Sequence, residues 1–480
     1  MEGLKLSDIY LGVNDGKKEA RYKADFEKYF FDYNNLHEHV LDPAVFLILG
    51  RKGSGKTILA EYIKKTCSGP TFFIDIRSYK DFRFHELVHL KSGDISPNEY
   101  FAIWEWVMLL DLAKIIIQDE GIPQSNEKRR LDTFFKENYA SLTIDVKKVI
   151  EITKQHKIKG SLLKQEAEYG GASKQTEGSY LQYLEDLREV VITLLSTSRS
   201  EYALFYDELD DRFRNEEYYK NSIISLLKAA DKINMLCIDN GCKCKIYALL
   251  RSDIFSILND PDLNKIVKVN GLTIDWGNKV DKSSPLFELI LTKASRSVSS
   301  LESRSYDDKF KILFPQDIKR VEPERFILER TLFRPRDIVT YLNLIIKKYP
   351  TTSYFGFKGF LDLRKSYSEY LLNEIRNEMC GHISDDQIDT GLQLLKQFNR
   401  HNFKYTDIKL YWDKNKDKYK AVELDNILSI FFKFNIVGNK WFKDDHKKNF
   451  YSWAHRDPRS ELDFDKEIII HLGLRDELSV

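Results

Sequence analysis

The stretch that most restricts how this chain can fold is residues 45–64. An apolar run, Val45-Phe46-Leu47-Ile48-Leu49, leads into Gly50-Arg51-Lys52-Gly53-Ser54-Gly55-Lys56-Thr57 and then into the helical pattern ILAEYIKK. Strand, glycine-rich loop and helix follow in the order a phosphate site needs. The octapeptide fits G-x-x-x-x-G-K-[ST] in full, with a physical reason at each position. Amides of the loop, Gly50 and Ser54 included, and of the following helix N-terminus point at a polyphosphate. Lys56 supplies a point charge to its β and γ phosphates, and the Thr57 hydroxyl is placed to ligate Mg²⁺. Gly53 and Gly55 let the main chain approach where a Cβ would collide. A flexible surface loop is the competing explanation, and the flanking strand and helix weigh against it.

The rest of the chain repeats the same layering. Apolar stretches at Thr71–Ile76, Tyr202–Tyr206 and Lys245–Leu250 read as strands with helical runs nearby, which predicts an α/β fold with a parallel sheet. Between the second and third, residues 99–198 are mostly helical in pattern, broken by a polar stretch from about Lys154 to Gly178 expected to be a mobile loop. After Trp276 the pattern is helical, and from about Ser384 three helical runs precede two strand-like pieces around Asn439 and Phe450, the outline of a winged helix. The expected division is a core of residues 1–79 and 199–277, a helical insertion at 80–198, a helical lid at 278–380 and a winged-helix-like domain at 381–480. A length of 480 residues suits two to three domains.

A second landmark is Ala203-Leu204-Phe205-Tyr206-Asp207-Glu208, an apolar strand ending in two carboxylates. Downstream of a phosphate loop, Asp207 is expected in the Mg²⁺ shell and Glu208 as the group that polarises attacking water. Asp210 and Asp211 extend the acidic edge. Arg251 directly follows the strand KIYALL and could reach a γ-phosphate, unless it pairs with Asp253. In Arg330-Thr331-Leu332-Phe333-Arg334-Pro335-Arg336-Asp337, Pro335 suits a helix start and Asp337 the positive end of its dipole, which aims Arg334 and Arg336 from a helical lid toward the nucleotide. Pairing with Glu322 or Glu329 is the alternative for those arginines. Cys237, Cys242 and Cys244 cluster, yet no companion Cys or His pair follows at zinc spacing, so free thiols in a reducing compartment are expected.

GRKGSGKT, ALFYDELD, the strand ending in LLRSD, NGLTIDW and RTLFRPRD occur in an order that resembles the bacterial P-loop ATPases of the STAND, KAP and origin-recognition-like grouping within the AAA-type class. Similar stand-alone ATPases are often encoded in anti-phage defence loci. The resemblance spans about residues 10–350. It implies that Lys56 and Thr57 hold phosphate and Mg²⁺ and that Asp207 and Glu208 form the Walker B pair. It also implies that Arg251 is a strand-end sensor and that Arg334 or Arg336 is the second sensor of the lid. Asn14 and Asp15 look like part of the family's N-terminal box near the base. One departure stands out: Asp207 lies 151 positions after Lys56, so an insertion must project from the sheet. ABC-type ATPases also carry a long insertion here, but Gly170-Gly171 in EYGGAS is a poor imitation of their signature.

The function expected from these residues is an ATP-binding, Mg²⁺-dependent hydrolase acting as a regulatory switch in a homo-oligomer and controlling a separate effector protein such as a nuclease or toxin. A DNA-binding ATPase is the alternative. Lys414, Lys416, Lys418, Lys420, Lys440, Lys443, Lys447 and Lys448 could meet phosphates while Tyr411, Trp412 and Trp441 stack, although Asp413, Asp417, Asp444 and Asp445 offset much of that field. Charge does not choose between them, because 75 basic residues face 74 acidic ones for a net charge of +1. No apolar run approaches the roughly 18 residues of a bilayer span and the N-terminal stretch lacks a signal-peptide core, so a soluble cytoplasmic protein with no membrane partner is expected.

Overall fold

The computed structural model describes residues 3–78, 97–138, 180–209 and 213–480. Asp210, Asp211, Gly170-Gly171 and the expected mobile loop at 154–178 lie outside them. The chain divides into two compact units, one of residues 35–51 and 56–274, the other of residues 1–34, 52–55 and 275–480. Helices of ten residues or more are numbered below.

The first unit is built on a five-stranded, all-parallel sheet of β1 (Leu47–Gly50), β2 (Phe72–Ser78), β3 (Glu201–Asp207), β4 (Cys244–Arg251) and β5 (Gly271–Ile274), in the order β2-β3-β4-β1-β5. Every residue of β1 and all but the first of β3 are buried. That is the near-continuous apolar pattern of strands covered on both faces. Because all strands run one way, Gly50, Ser78, Asp207 and Arg251 finish at the same carboxyl edge. Register sets Ser78 opposite Asp207 and Gly50 opposite Arg251.

Helices α1 (Lys56–Cys67), α2 (Pro97–Gln118), α3 (Asn126–Asn138), α4 (Tyr180–Thr197) and α5 (Glu217–Asp239) complete this unit. The expectation that the insertion projects from the sheet is corrected for its described helices. Trp104, Trp106, Met108, Leu109, Leu110, Leu112 and Ala113 of α2 are all essentially fully buried. A helix apolar on every side belongs in a core, and α2 packs against α4, α5 and β3. Burying each large side chain there contributes about 1.5–3 kcal/mol. Two of its polar side chains are bonded inside the same core: Tyr206 of β3 donates to Asp111 at 2.8 Å, and Trp104 Nε1 donates to Ser222 of α5 at 3.0 Å.

The second unit is mainly helical, with α6 (Pro285–Ser297), α7 (Pro335–Lys348), α8 (Arg364–Met379), α9 (Asp385–Phe398), α10 (Tyr405–Lys414) and α11 (Leu424–Lys433). α9 opens with a capping box in which Ser384 and Gln387 satisfy each other's free amides. The N-terminal segment joins this unit through a buried ion pair, Lys293 Nζ to Glu19 at 3.3 Å, and Glu19 also accepts from the Val13 amide at 3.0 Å. The strands expected around Asn439 and Phe450 are β7 (Val437–Lys443) and β8 (Lys448–Ser452). They belong to a four-stranded antiparallel sheet ordered β6-β9-β7-β8. Its other members are β6 (Asn402–Phe403) and β9 (Glu467–Ile470), so the tail EIII lies between two earlier strands. Among the described residues no helix is long and apolar enough to cross a membrane.

Candidate functional site

The loop 50–57 joins the end of β1 to the start of α1. Gly53 and Gly55 have φ of 78° and 105°, values that a side chain disfavours. In the first unit, Lys56 at the N-terminus of α1 turns its ammonium onto the loop's own Gly50 and Arg51 carbonyls, at 2.8 and 3.3 Å. Thr57, the next residue, donates its hydroxyl to Asp207 Oδ2 at 2.7 Å. Two residues 150 positions apart thus place a hydroxyl and a carboxylate together at the sheet's carboxyl edge. That is the hard-oxygen pair Mg²⁺ takes alongside water and phosphate oxygens.

Glu208 follows immediately, with φ of 56° in the left-handed region. Its carboxylate accepts a hydrogen bond from Ser78 Oγ, the last residue of β2. Sequence reading missed Ser78; the only signal is a hydroxyl residue closing the strand beside the acidic one. Arg251 is buried and doubly bonded to Asp253, Nε to Oδ1 at 3.0 Å and Nη2 to Oδ2 at 2.5 Å. The structure thus places Arg251 at the expected edge, one strand from both Gly50 and Asp207, in the pairing considered as its alternative. Cys237, Cys242 and Cys244 are free thiols near the start of β4. Cys242 lowers the Cys237 thiol but Cys244 and burial carry it up, and Cys237 and then burial push the Cys242 thiol up; no group of three or more metal-ligating side chains occurs among the described residues.

In the second unit, the middle of the loop, residues 52–55, is held from several directions. Arg334 is fully buried; it pairs with Asp337 at 2.8 Å and with Glu378 of α8, and donates to the Lys52 carbonyl at 3.0 Å. Arg336 pairs with Glu374 of α8 at 2.9 Å, and a Cβ on Gly53 would lie 2.9 Å from the Arg336 Cβ. Burial alone would push the Glu374 carboxyl up, but Lys52 (3.5 Å away), Arg336 and Arg334 hold it below its ordinary value. Neither arginine pairs with Glu322 or Glu329; the partners come from α8 and from Asp337. Trp276 donates its indole N–H to the Ser54 carbonyl at 2.8 Å and stacks on Tyr33 at 4.9 Å between centroids. Ser54 Oγ is buried and has no hydrogen-bond partner among the described residues. An orphaned hydroxyl inside a glycine-shaped loop fits an anionic ligand that brings acceptors with it.

Asn14 and Asp15 fall in the same unit. Asn14 Oδ1 accepts from Thr340 of α7 at 2.7 Å, and Asp15 caps the helix Gly16–Tyr22 by accepting from the Lys18 amide at 3.0 Å.

Residues 284–376 match the family model of the FunZ-associated C-terminal helical domain. The matched stretch runs from the start of α6 into α8, including the Arg334–Asp337 corner. No curated protein matches the chain.

Proposed function

We propose that the chain is a P-loop ATPase of the AAA type that binds ATP with Mg²⁺ on residues 50–57 and hydrolyses it. The observation that carries this reading is the Thr57–Asp207 hydrogen bond at the carboxyl edge of a parallel sheet, directly after a complete glycine-rich loop. Ligands of open parallel sheets bind at that edge. The loop amides and Lys56 neutralise the phosphates, Thr57 and Asp207 hold the metal, and Glu208 takes a proton from the attacking water. Mg²⁺ supplies charge neutralisation at the phosphate oxygens when bound. Arg336, whose side chain is 25% exposed, is the better candidate for the second sensor; Arg334, at 1%, serves as a clasp on the Lys52 carbonyl. Arg251 becomes a sensor only by exchanging Asp253 for phosphate.

In this reading the ATPase is a regulatory switch, assembled as a homo-oligomer and controlling a separate effector, in keeping with the resemblance to defence-associated ATPases. A second reading, nucleic-acid contact by a winged-helix-like module formed by α9–α11 and β6–β9, is favoured by the β7–β8 hairpin. There Phe442 and Tyr451 are exposed, and Lys443 and Lys448 stand over Phe450. The test is turnover and nucleotide binding by the purified chain. Lys56→Ala is expected to lose ATP affinity, and Glu208→Gln to retain ATP while turnover falls on the order of 10²-fold. If Lys56→Ala changes neither quantity the ATP assignment fails, and if Glu208→Gln turns over like the parent chain Glu208 is not the base.

A further inference from the structure

A cavity of about 420 Å³ opens along α10 and the turn before α11. Tyr405, Lys409, Trp412 and Lys416 line it. Tyr405, Lys409 and Trp412, spaced by four and three positions, share a row along α10, and Lys416 follows in the 3-10 turn Lys416–Tyr419. The row alternates ring and ammonium: Lys409 Nζ stands 5.6 Å from the Tyr405 ring centroid, and Lys416 Nζ stands 5.0 Å from that of Trp412. Lys420 adds a third ammonium at the rim, and Val422 and Leu424 give an apolar floor. Two carboxylates also line the space, Glu423 and Asp425, and Asp425 accepts the Tyr405 hydroxyl. Lys420 in addition meets the outward-facing Asp417 at 3.2 Å.

One atom here is out of balance. Trp412 Nε1 is buried with no hydrogen-bond partner among the described residues. A buried donor left without an acceptor is costly. The surroundings narrow the ligand class. Lys409 and Lys416 form no ion pair among the described residues, which favours an anion. Two ring faces and an apolar floor favour a planar aromatic body, which a bare inorganic anion does not offer. The volume lies within the usual range of small-ligand sites, about 300–1,000 Å³.

We propose that this cavity binds a nucleoside phosphate, its base against Trp412 and Tyr405 and its phosphate among Lys409, Lys416 and Lys420. Base–aromatic contact with phosphate neutralised by lysine is the chemistry by which single nucleotide units are held. The unit could be a free mononucleotide or the phosphorylated end of a single strand. The inference does not rest on the ATP reading, since it uses none of the residues of the glycine-rich loop.

The test uses the full chain labelled with fluorotryptophan, in which the Trp412 resonance is identified among six tryptophans by its loss in Trp412→Phe. AMP, adenosine, inorganic phosphate and a terminally phosphorylated oligothymidylate are titrated separately to millimolar concentration. The Trp412 resonance is expected to shift saturably with AMP or the oligothymidylate, and whichever binds more tightly names the source. The double variant Lys416→Ala/Lys420→Ala, altering two exposed side chains, should weaken that shift about tenfold. A Trp412 resonance that ignores both nucleotides, responds to adenosine as strongly as to AMP, or titrates unchanged in the double variant overturns the proposal. Nucleotide bound at the glycine-rich loop is read instead at Trp276, which touches Ser54, so failure at Trp412 leaves the ATP reading separately testable.

Discussion

Glu208 concentrates the chemistry of the candidate site at one residue. Its positive φ is a conformation that non-glycine residues adopt at a cost, and such strain persists only where surroundings enforce it. Ser78 is the enforcing contact on the carboxylate. On the proposed ATPase reading, Ser78→Ala is expected to lower kcat for ATP about tenfold while leaving nucleotide affinity unchanged, because Lys56, Thr57 and Asp207 are untouched. Steady-state turnover beside equilibrium binding separates the two, and a change in affinity alone would assign Ser78 to binding. The positions of Lys56 and Thr57 at a helix start and of Asp207 at a strand end were legible in the sequence because each is marked by its own local pattern. Ser78 was not, because a serine closing a strand is common and only the β2–β3 register brings it beside Asp207. The same limit applies to Arg334: its neighbour Asp337 is visible three positions away, whereas Glu378 arrives from another helix.

At the scale of elements, period and composition identified four of the five parallel strands to within a few residues, because each is an apolar run bounded by polar turns; β5, four residues long and only partly buried, carries no such run. The placement of α2 was misjudged for a reason that is also physical. Its length between two core strands suggested an outgrowth, while its all-round apolar surface required an interior position. The antiparallel sheet was half legible: β7 and β8 showed themselves as a hairpin, but β6 is two residues long and β9 pairs with segments far from it in sequence. Within that sheet Gly438 of β7 is a close-approach position, since a Cβ there would lie 2.5 Å from the Trp453 ring. Gly438→Ala must displace a rigid indole and should destabilise by about 1–3 kcal/mol. Urea unfolding measures the loss, and an unchanged midpoint would mean the ring has room to move.

For the molecule as a whole, the helical unit carries a pH dependence of its own. His471 is buried; burial first, then the nearby Arg456, Arg475 and Arg330, lower its pKa from 6.5 to about 3. Its ring Nδ1 accepts the Gly473 amide at 3.1 Å, a bond that needs the unprotonated nitrogen. Between those two pH values the unfolded chain binds a proton that the folded chain refuses. The contribution of this residue is therefore complete above pH 6.5 and is lost as pH falls below it, by up to about 1.4 kcal/mol per pH unit. Denaturant unfolding across that range should show a shallower slope in His471→Gln, and an identical slope would place the acid sensitivity elsewhere.

Residues 52–55 are written between a strand and a helix of the sheet unit, yet they group with residues 1–34 and 275–480. Local opening follows packing rather than sequence order. The carbonyls of Lys52, Gly53 and Ser54 accept from Arg334, the Arg336 amide and Trp276, so loosening the Arg334–Asp337 corner should change the shape of the loop. The most conspicuous motif in the chain is held in shape by a residue that follows it by nearly three hundred positions.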